Sequence, residues 1–263
     1  MMSLGSLGTL FKTVFRRELT MLTRYAINTV SSLVSIYFFF VMIFMGMQKL
    51  SAPMAGDMLS DSLEGTIIGF FVWTFTIFAY SNLSWTLIGE AQAGTLEQLY
   101  LAPLGFKWVC TCTVVAHFLL NLIPHMLFLV AMMATTGHWL QIDLLSLMPL
   151  LAITVLGAYG FGFALGGLAL VFKRIQALFQ IVQFVFLAFL LIPFRVPWAK
   201  FVPLSAGFSL LYDVMVEGVR LWELPIQSVF TATAVGAAYL AIGLVIFSKC
   251  EQIARHQGLL GHY

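Results

Sequence analysis

His117, Asn121 and His125 recur every four residues in an otherwise apolar run, and Gln176, Gln180 and Gln183 follow at i, i+4 and i+7 in another. At those spacings each set falls on one face of a helix. Imidazoles and carboxamides on an apolar helix have two uses: hydrogen bonds to a neighbouring helix, or the lining of a substrate path. Pro124 stands beside the first stripe, and His117 lies about 15 Å in from Lys107 if the helix rises ~1.5 Å per residue. Two histidines at i, i+8 with no third ligand do not make a metal site. Cys110 and Cys112 point to different helical faces and Cys250 is distant in sequence, so the thiols read as core filling in a reducing compartment. The GFGFALG run at 160–166 has the wrong spacing for a dinucleotide loop, and there is no GxxxxGK[ST] phosphate loop. No constellation in the chain supports catalysis of its own.

A second kind of chemistry, docking, is written at residues 94–103, GTLEQLYLAP. Thr95 is placed to cap a helix, Gln98 three positions on completes a capping-box pattern, and Pro103 stops the run. About two turns remain, with Leu96, Leu99 and Tyr100 on one side and Glu97 and Gln98 on others. An apolar knob with a charged shoulder suits a groove on another protein, whereas a solvated, well-capped loop has the same pattern.

These residues must be positioned by membrane helices. Of 263 residues 61% are hydrophobic and 9% charged, far below the roughly 25% charged of soluble domains, which places the chain among multi-span membrane proteins. The 25 phenylalanines read as lipid-facing surface. Windows of ~20 residues, enough to cross the hydrocarbon, predict six spans near Ile27–Met47, Gly65–Gly89, Trp108–Ala134, Leu144–Phe172, Ile175–Phe194 and Pro225–Ser248. With the N-terminus inside, nine of the 13 Lys and Arg fall on the cytoplasmic side and only Lys49, Arg195, Lys200 and Arg220 outside, so the expected orientation is N-in, C-in. That sidedness accounts for the basic residues without nucleic acid.

Before the first span, Leu7, Leu10, Phe11, Val14, Phe15 and Leu22 form a helical stripe, and Lys12, Arg16 and Arg17 are expected opposite it. Residues 1–26 therefore read as an interfacial helix, leading into a first span that acts as an uncleaved anchor. Between the fifth and sixth spans, residues 195–223 hold a charge-free run from Phe201 to Tyr212 too short to cross. With Pro193, Pro197 and Pro203 beside it, and Trp198 and Tyr212 fit for a headgroup layer, it reads as an outer re-entrant hairpin. Small residues Ala158, Gly162 and Gly166, with Gly157, Gly160 and Gly167 alongside, predict a packing face on the fourth span. Inverted repeats and intramembrane carboxylates, expected of a secondary transporter or channel, are missing from the pattern.

The order of elements, and above all Glu90, Gly94, Thr95, Leu96, Glu97, Leu99 and Pro103, resembles the permease subunit of ABC type-2 exporters, which typically read E-x-x-x-G-T-L-E-x-L-x-x-x-P at this place. The resemblance implies a single transmembrane permease domain over residues 1–263, with the coupling helix at 90–104, Tyr100 included, docked on a separate cytoplasmic ATP-binding subunit. It implies a homodimer or heterodimer of permeases in a cell membrane, the prokaryotic inner or plasma membrane above all. ATP and Mg would then sit on the partner, and no cofactor in this chain. An uncharged, aromatic-rich interior favours hydrophobic or amphipathic cargo such as drugs, antibiotics or lipids, with lipid-linked polysaccharide or glycolipid as the alternative. His117, Asn121, His125, Gln176, Gln180 and Gln183 are the candidate substrate path.

Overall fold

The computed structural model of the chain describes residues 4–50, 63–172, 175–190 and 199–257. Their regular elements are all helical: α1 (Leu4–Arg24), α2 (Ala26–Leu50), α3 (Leu63–Gln92), α4 (Leu96–Tyr100), α5 (Phe106–Thr136), α6 (Leu144–Phe172), α7 (Gln176–Leu190), α8 (Ser205–Met215) and α9 (Ile226–His256), with short 3-10 turns at Ala199–Phe201 and Leu221–Glu223. Five of these, α2, α3, α5, α6 and α9, are long and apolar enough to cross a membrane, which makes the chain an all-α, multi-pass membrane protein. The fifth of the six expected spans, Ile175–Phe194, falls on α7, of which 15 residues are described. Residues 191–198, with Pro193, Phe194, Arg195, Pro197 and Trp198, lie outside the described residues, as do Lys173, Arg174 and residues 51–62.

The bundle is organised around α6, which packs most extensively on α9 and next on α3. The small residues of α6 explain both seams, because van der Waals contact between helix backbones needs side chains that do not intervene. One expected packing face proves to be two. Gly162 lies against the backbone of Tyr80 and Gly166 against Leu83, Ser84 and Leu87, all on α3, while Gly157, Gly160 and Gly167 face Gly236, Tyr239 and Phe247 on α9.

Phenylalanine serves the core more than the sequence suggests. Phe40, Phe71, Phe75, Phe186 and Phe247 are among the largest fully buried side chains, although Phe38 and Phe184 are exposed as expected. Stacking gives the reason, since ring pairs add attraction beyond area burial. Phe40 meets Phe70 at 5.2 Å and joins α2 to α3, while Phe179 stacks on Tyr80 and Trp85 and joins α7 to α3. The Tyr80 hydroxyl and the Trp73 indole N–H each donate to an α7 carbonyl, of Phe179 and Gln183.

α8 packs on the first half of α6. Near its start a Cβ on Gly207 would lie 2.7 Å from the Thr154 Cα, and at its end the Gln141 N–H donates to the Met215 carbonyl at 2.9 Å. Asp143 caps the start of α6 with a carboxylate that accepts from the Leu145 N–H and the Ser146 hydroxyl.

α1 is helical across the expected amphipathic stretch, and Lys12 and Arg16 are exposed as the pattern requires. Arg17 departs from it. Val14 and Glu18 are buried where α1 packs on α5, and Arg17 turns toward the neighbouring carboxylates instead of lying opposite the apolar stripe.

Candidate functional site

The corner between α3 and α5 is built by a helix-stop motif whose residue types follow from geometry. Gly94 has φ of +70°, the left-handed conformation that only glycine adopts without strain. The Thr95 N–H reaches back to the Glu90 carbonyl and the Gly94 N–H to the Ala91 carbonyl, the paired bonds of a Schellman ending. Glu90, Gly94 and Thr95 are therefore three positions of one device. The Thr95 hydroxyl donates to both the carboxylate and the carbonyl of Glu90.

That engagement overturns the expected capping box. Thr95 makes no side-chain cap to α4 and sits in helical φ, ψ, while Gln98 is exposed. The helix itself is five residues, shorter than the two turns expected. The knob is overturned in its direction. Leu96 is 1% exposed, and Leu99 and Tyr100 pack against the chain's own core. The Tyr100 ring stacks on Phe106 at 4.0 Å, Phe106 on Phe247 at 5.8 Å, and Phe247 meets Phe163 edge-on, so aromatic contacts run from α4 through α5 and α9 to α6. Burial pushes the Tyr100 phenol well above its ordinary pKa, and the Glu251 carboxylate adds to the effect. What α4 presents outward is Glu97, Gln98 and Leu101, with Gly94 and Pro103 also exposed; Leu101 is 82% exposed.

On its other side the corner is tied to α1. Arg17 bridges two carboxylates, 2.7 Å from Glu18 and 3.1 Å from Glu90. Glu18, nearly buried, also lies 3.5 Å from His117 Nε2, which is 3.5 Å from the Thr86 hydroxyl. A continuous polar chain thus runs from α5 through Glu18, Arg17 and Glu90 to Thr95 at the start of α4. Glu18 and Arg17 are the site residues that sequence reasoning missed. The available signal was an acid at Glu18, four residues after Val14 and so on the apolar stripe of α1.

No family model matches the chain, and no curated protein or solved structure matches it.

The remaining candidate residues divide. His117 reaches across to α1 and α3, but the Asn121 amide donates to the His117 carbonyl and His125 Nδ1 pairs with the Asn121 carbonyl, both within α5. Asn121 and His125 are buried in the bundle, with His125 between the edges of Phe75 and Phe78 at 4.9 and 4.8 Å. Gln176 and Gln180 are exposed on α7 and Gln183 is half-buried, so the two stripes face different surroundings. Among the described residues no three His, Cys, Asp or Glu side chains gather as metal ligands, and the cysteines are free thiols, Cys110 and Cys250 buried.

Proposed function

We propose that the chain is the membrane-spanning permease subunit of an ATP-binding-cassette exporter, with residues 90–104 as the segment that couples it to a separate ATP-hydrolysing subunit. The observation that carries this reading is the construction of the corner. A short helix between two apolar helices is stopped by Gly94, pinned by Thr95 to Glu90, and keyed into the bundle by Leu96 and the Tyr100–Phe106 stack. A force applied to its exposed Glu97, Gln98 and Leu101 meets rigid links to α1, α3, α5 and α9 rather than a flexible loop, which is what coupling requires. The permease-type motif supplies the identity of the partner, and the excess of Lys and Arg on this side of the spans supports a cytoplasmic location.

In this reading two permeases, identical or different, pair in a prokaryotic plasma membrane. α7 belongs to the fifth of six spans, and α8 with Pro203 before it forms the outer re-entrant element. The cargo is hydrophobic or amphipathic and moves outward. The test separates the outward from the inward face of α4. Leu101→Glu should leave the melting temperature unchanged and reduce co-purification of the ATP-binding subunit, because a single exposed apolar anchor at an interface is worth roughly 2 kcal/mol. Leu96→Glu should instead destabilise the permease itself by burying a charge. A Leu101→Glu permease that keeps its full complement of ATPase and its export would remove the basis for the assignment.

A further inference from the structure

A cleft of about 500 Å³ opens where α4 meets the start of α5 and the end of α9, lined by Tyr100, Leu104, Lys107, Trp108, Glu251 and Arg255. Its charges do not balance. Among the described residues Glu251 is the one carboxylate in the lining, and it is shared at 3.8 Å by Lys107 and at 3.9 Å by Arg255, both beyond hydrogen-bond distance. The two cations are 58% and 64% exposed, so their N–H donors are left for another acceptor. Tyr100 also lines the cleft, and its hydroxyl is buried with no hydrogen-bond partner among the described residues. The missing chemistry is a single anionic group with several oxygen acceptors.

We propose that this cleft binds the phosphate of an anionic phospholipid. Three features favour a lipid over another carrier of that charge. α5 and α9 have 31 residues each, about 46 Å at ~1.5 Å per residue, and so outreach the ~30 Å hydrocarbon and place their ends among headgroups. Trp108, 43% exposed at the rim, has the amphipathic character of an interfacial anchor. Below it on the same face of α5, seven and eleven residues on, Val115 and Leu119 are exposed, a strip along which an acyl chain lies. The phosphate then sits between Lys107 and Arg255 with its chains running along α5. This site does not depend on the exporter reading; it needs only that α5 and α9 span the bilayer.

The test uses the full-length chain in neutral detergent, with thermal melting followed on titration of dioctanoyl phosphatidylglycerol. Phosphatidylglycerol should raise the melting temperature and the zwitterionic phosphatidylcholine should not. Lys107→Gln and Arg255→Gln should each weaken the apparent affinity about fivefold, the effect of one basic residue at an anionic headgroup. Lys249→Gln, an exposed cation on α9 outside the cleft, should leave it unchanged. Glu251→Gln removes the competing carboxylate and should tighten binding, an opposite sign that a merely destabilised variant does not produce. An equal shift from phosphatidylcholine, or retention of the phosphatidylglycerol shift in the Lys107→Gln/Arg255→Gln double variant, overturns the site. An equal shift from inorganic phosphate, or from hexaglutamate as a stand-in for an acidic protein segment, overturns the lipid as its occupant.

Discussion

Replacing Gly160 by alanine tests the seam on which the bundle rests. A Cβ at Gly160 would lie 2.6 Å from the Tyr239 carbonyl carbon and 2.8 Å from the Leu240 nitrogen, and a Cβ at Gly243 on the facing helix would meet the Gly160 backbone in turn. These are backbone atoms of a continuous helix, with no rotamer to move. To restore an ordinary 3.4 Å separation from the carbonyl carbon, and from the Tyr239 carbonyl oxygen that lies nearer still, α6 and α9 must part by at least about 0.8 Å at that crossing. A gap of that size forfeits roughly a quarter to a half of each dispersion contact along the seam. The cost is therefore at the upper end of overpacking penalties, about 3 kcal/mol. For a chain of this length that is a fall in melting temperature of about 5–6 °C, measured on purified protein in one detergent. Two other glycines calibrate the series. Gly166→Ala meets the flexible Leu87 Cδ1 at 3.3 Å and should be near neutral. Gly89→Ala on α3 has nothing within 4 Å and should stabilise by about 0.5–1 kcal/mol through helix propensity and a less flexible unfolded chain. If Gly160→Ala melts with or above Gly89→Ala, the helices are not in backbone contact and the reasoning fails.

Arg17→Ala should destabilise by about 3 kcal/mol, because Glu18 is left buried without its cation; adding Glu18→Gln should recover most of the loss, and a double variant as unstable as the single one would show that the bridge is incidental. Asp143 has a pKa held below the usual carboxylate range, first by the hydrogen bond from Ser146 and then by the Leu145 N–H. Its contribution to stability is complete above the unfolded carboxylate pKa and is lost as pH falls through the lower folded value, so acid melting curves should steepen there in wild type and flatten in Asp143→Asn. For orientation, a membrane-impermeant thiol reagent applied to intact cells should label Glu223→Cys and spare Gln98→Cys, both at exposed positions; strong labelling of the latter would invert the topology.

The sequence by itself determined the solvent. With so few charges and such long apolar windows, backbone polar groups have to be satisfied within helices, and the five spanning helices follow with ends within three residues of those expected, except that α9 continues eight residues past Ser248 to His256. It also marked residues 90–103 as special and the small residues of α6 as a packing face, because glycine in a left-handed turn and glycine at a helix crossing leave local signatures. Tertiary structure decided how those features are used. Period alone places Leu96, Leu99 and Tyr100 on one side of a short helix, but only the neighbours Phe106 and Phe247 turn that side inward. The Thr95 hydroxyl had two competing partners, the N–H groups of α4 and the Glu90 carboxylate, and the charged acceptor that the Schellman ending brings close won. The same holds for Glu18, Arg17 and Glu90. Arg17 and Glu18 are neighbours, but α2 and most of α3 separate them from Glu90, and the Arg17–Glu90 pair exists because α1 folds back against α5 beside the end of α3, a long-range placement that the acid on the apolar stripe of α1 hints at without giving its partner.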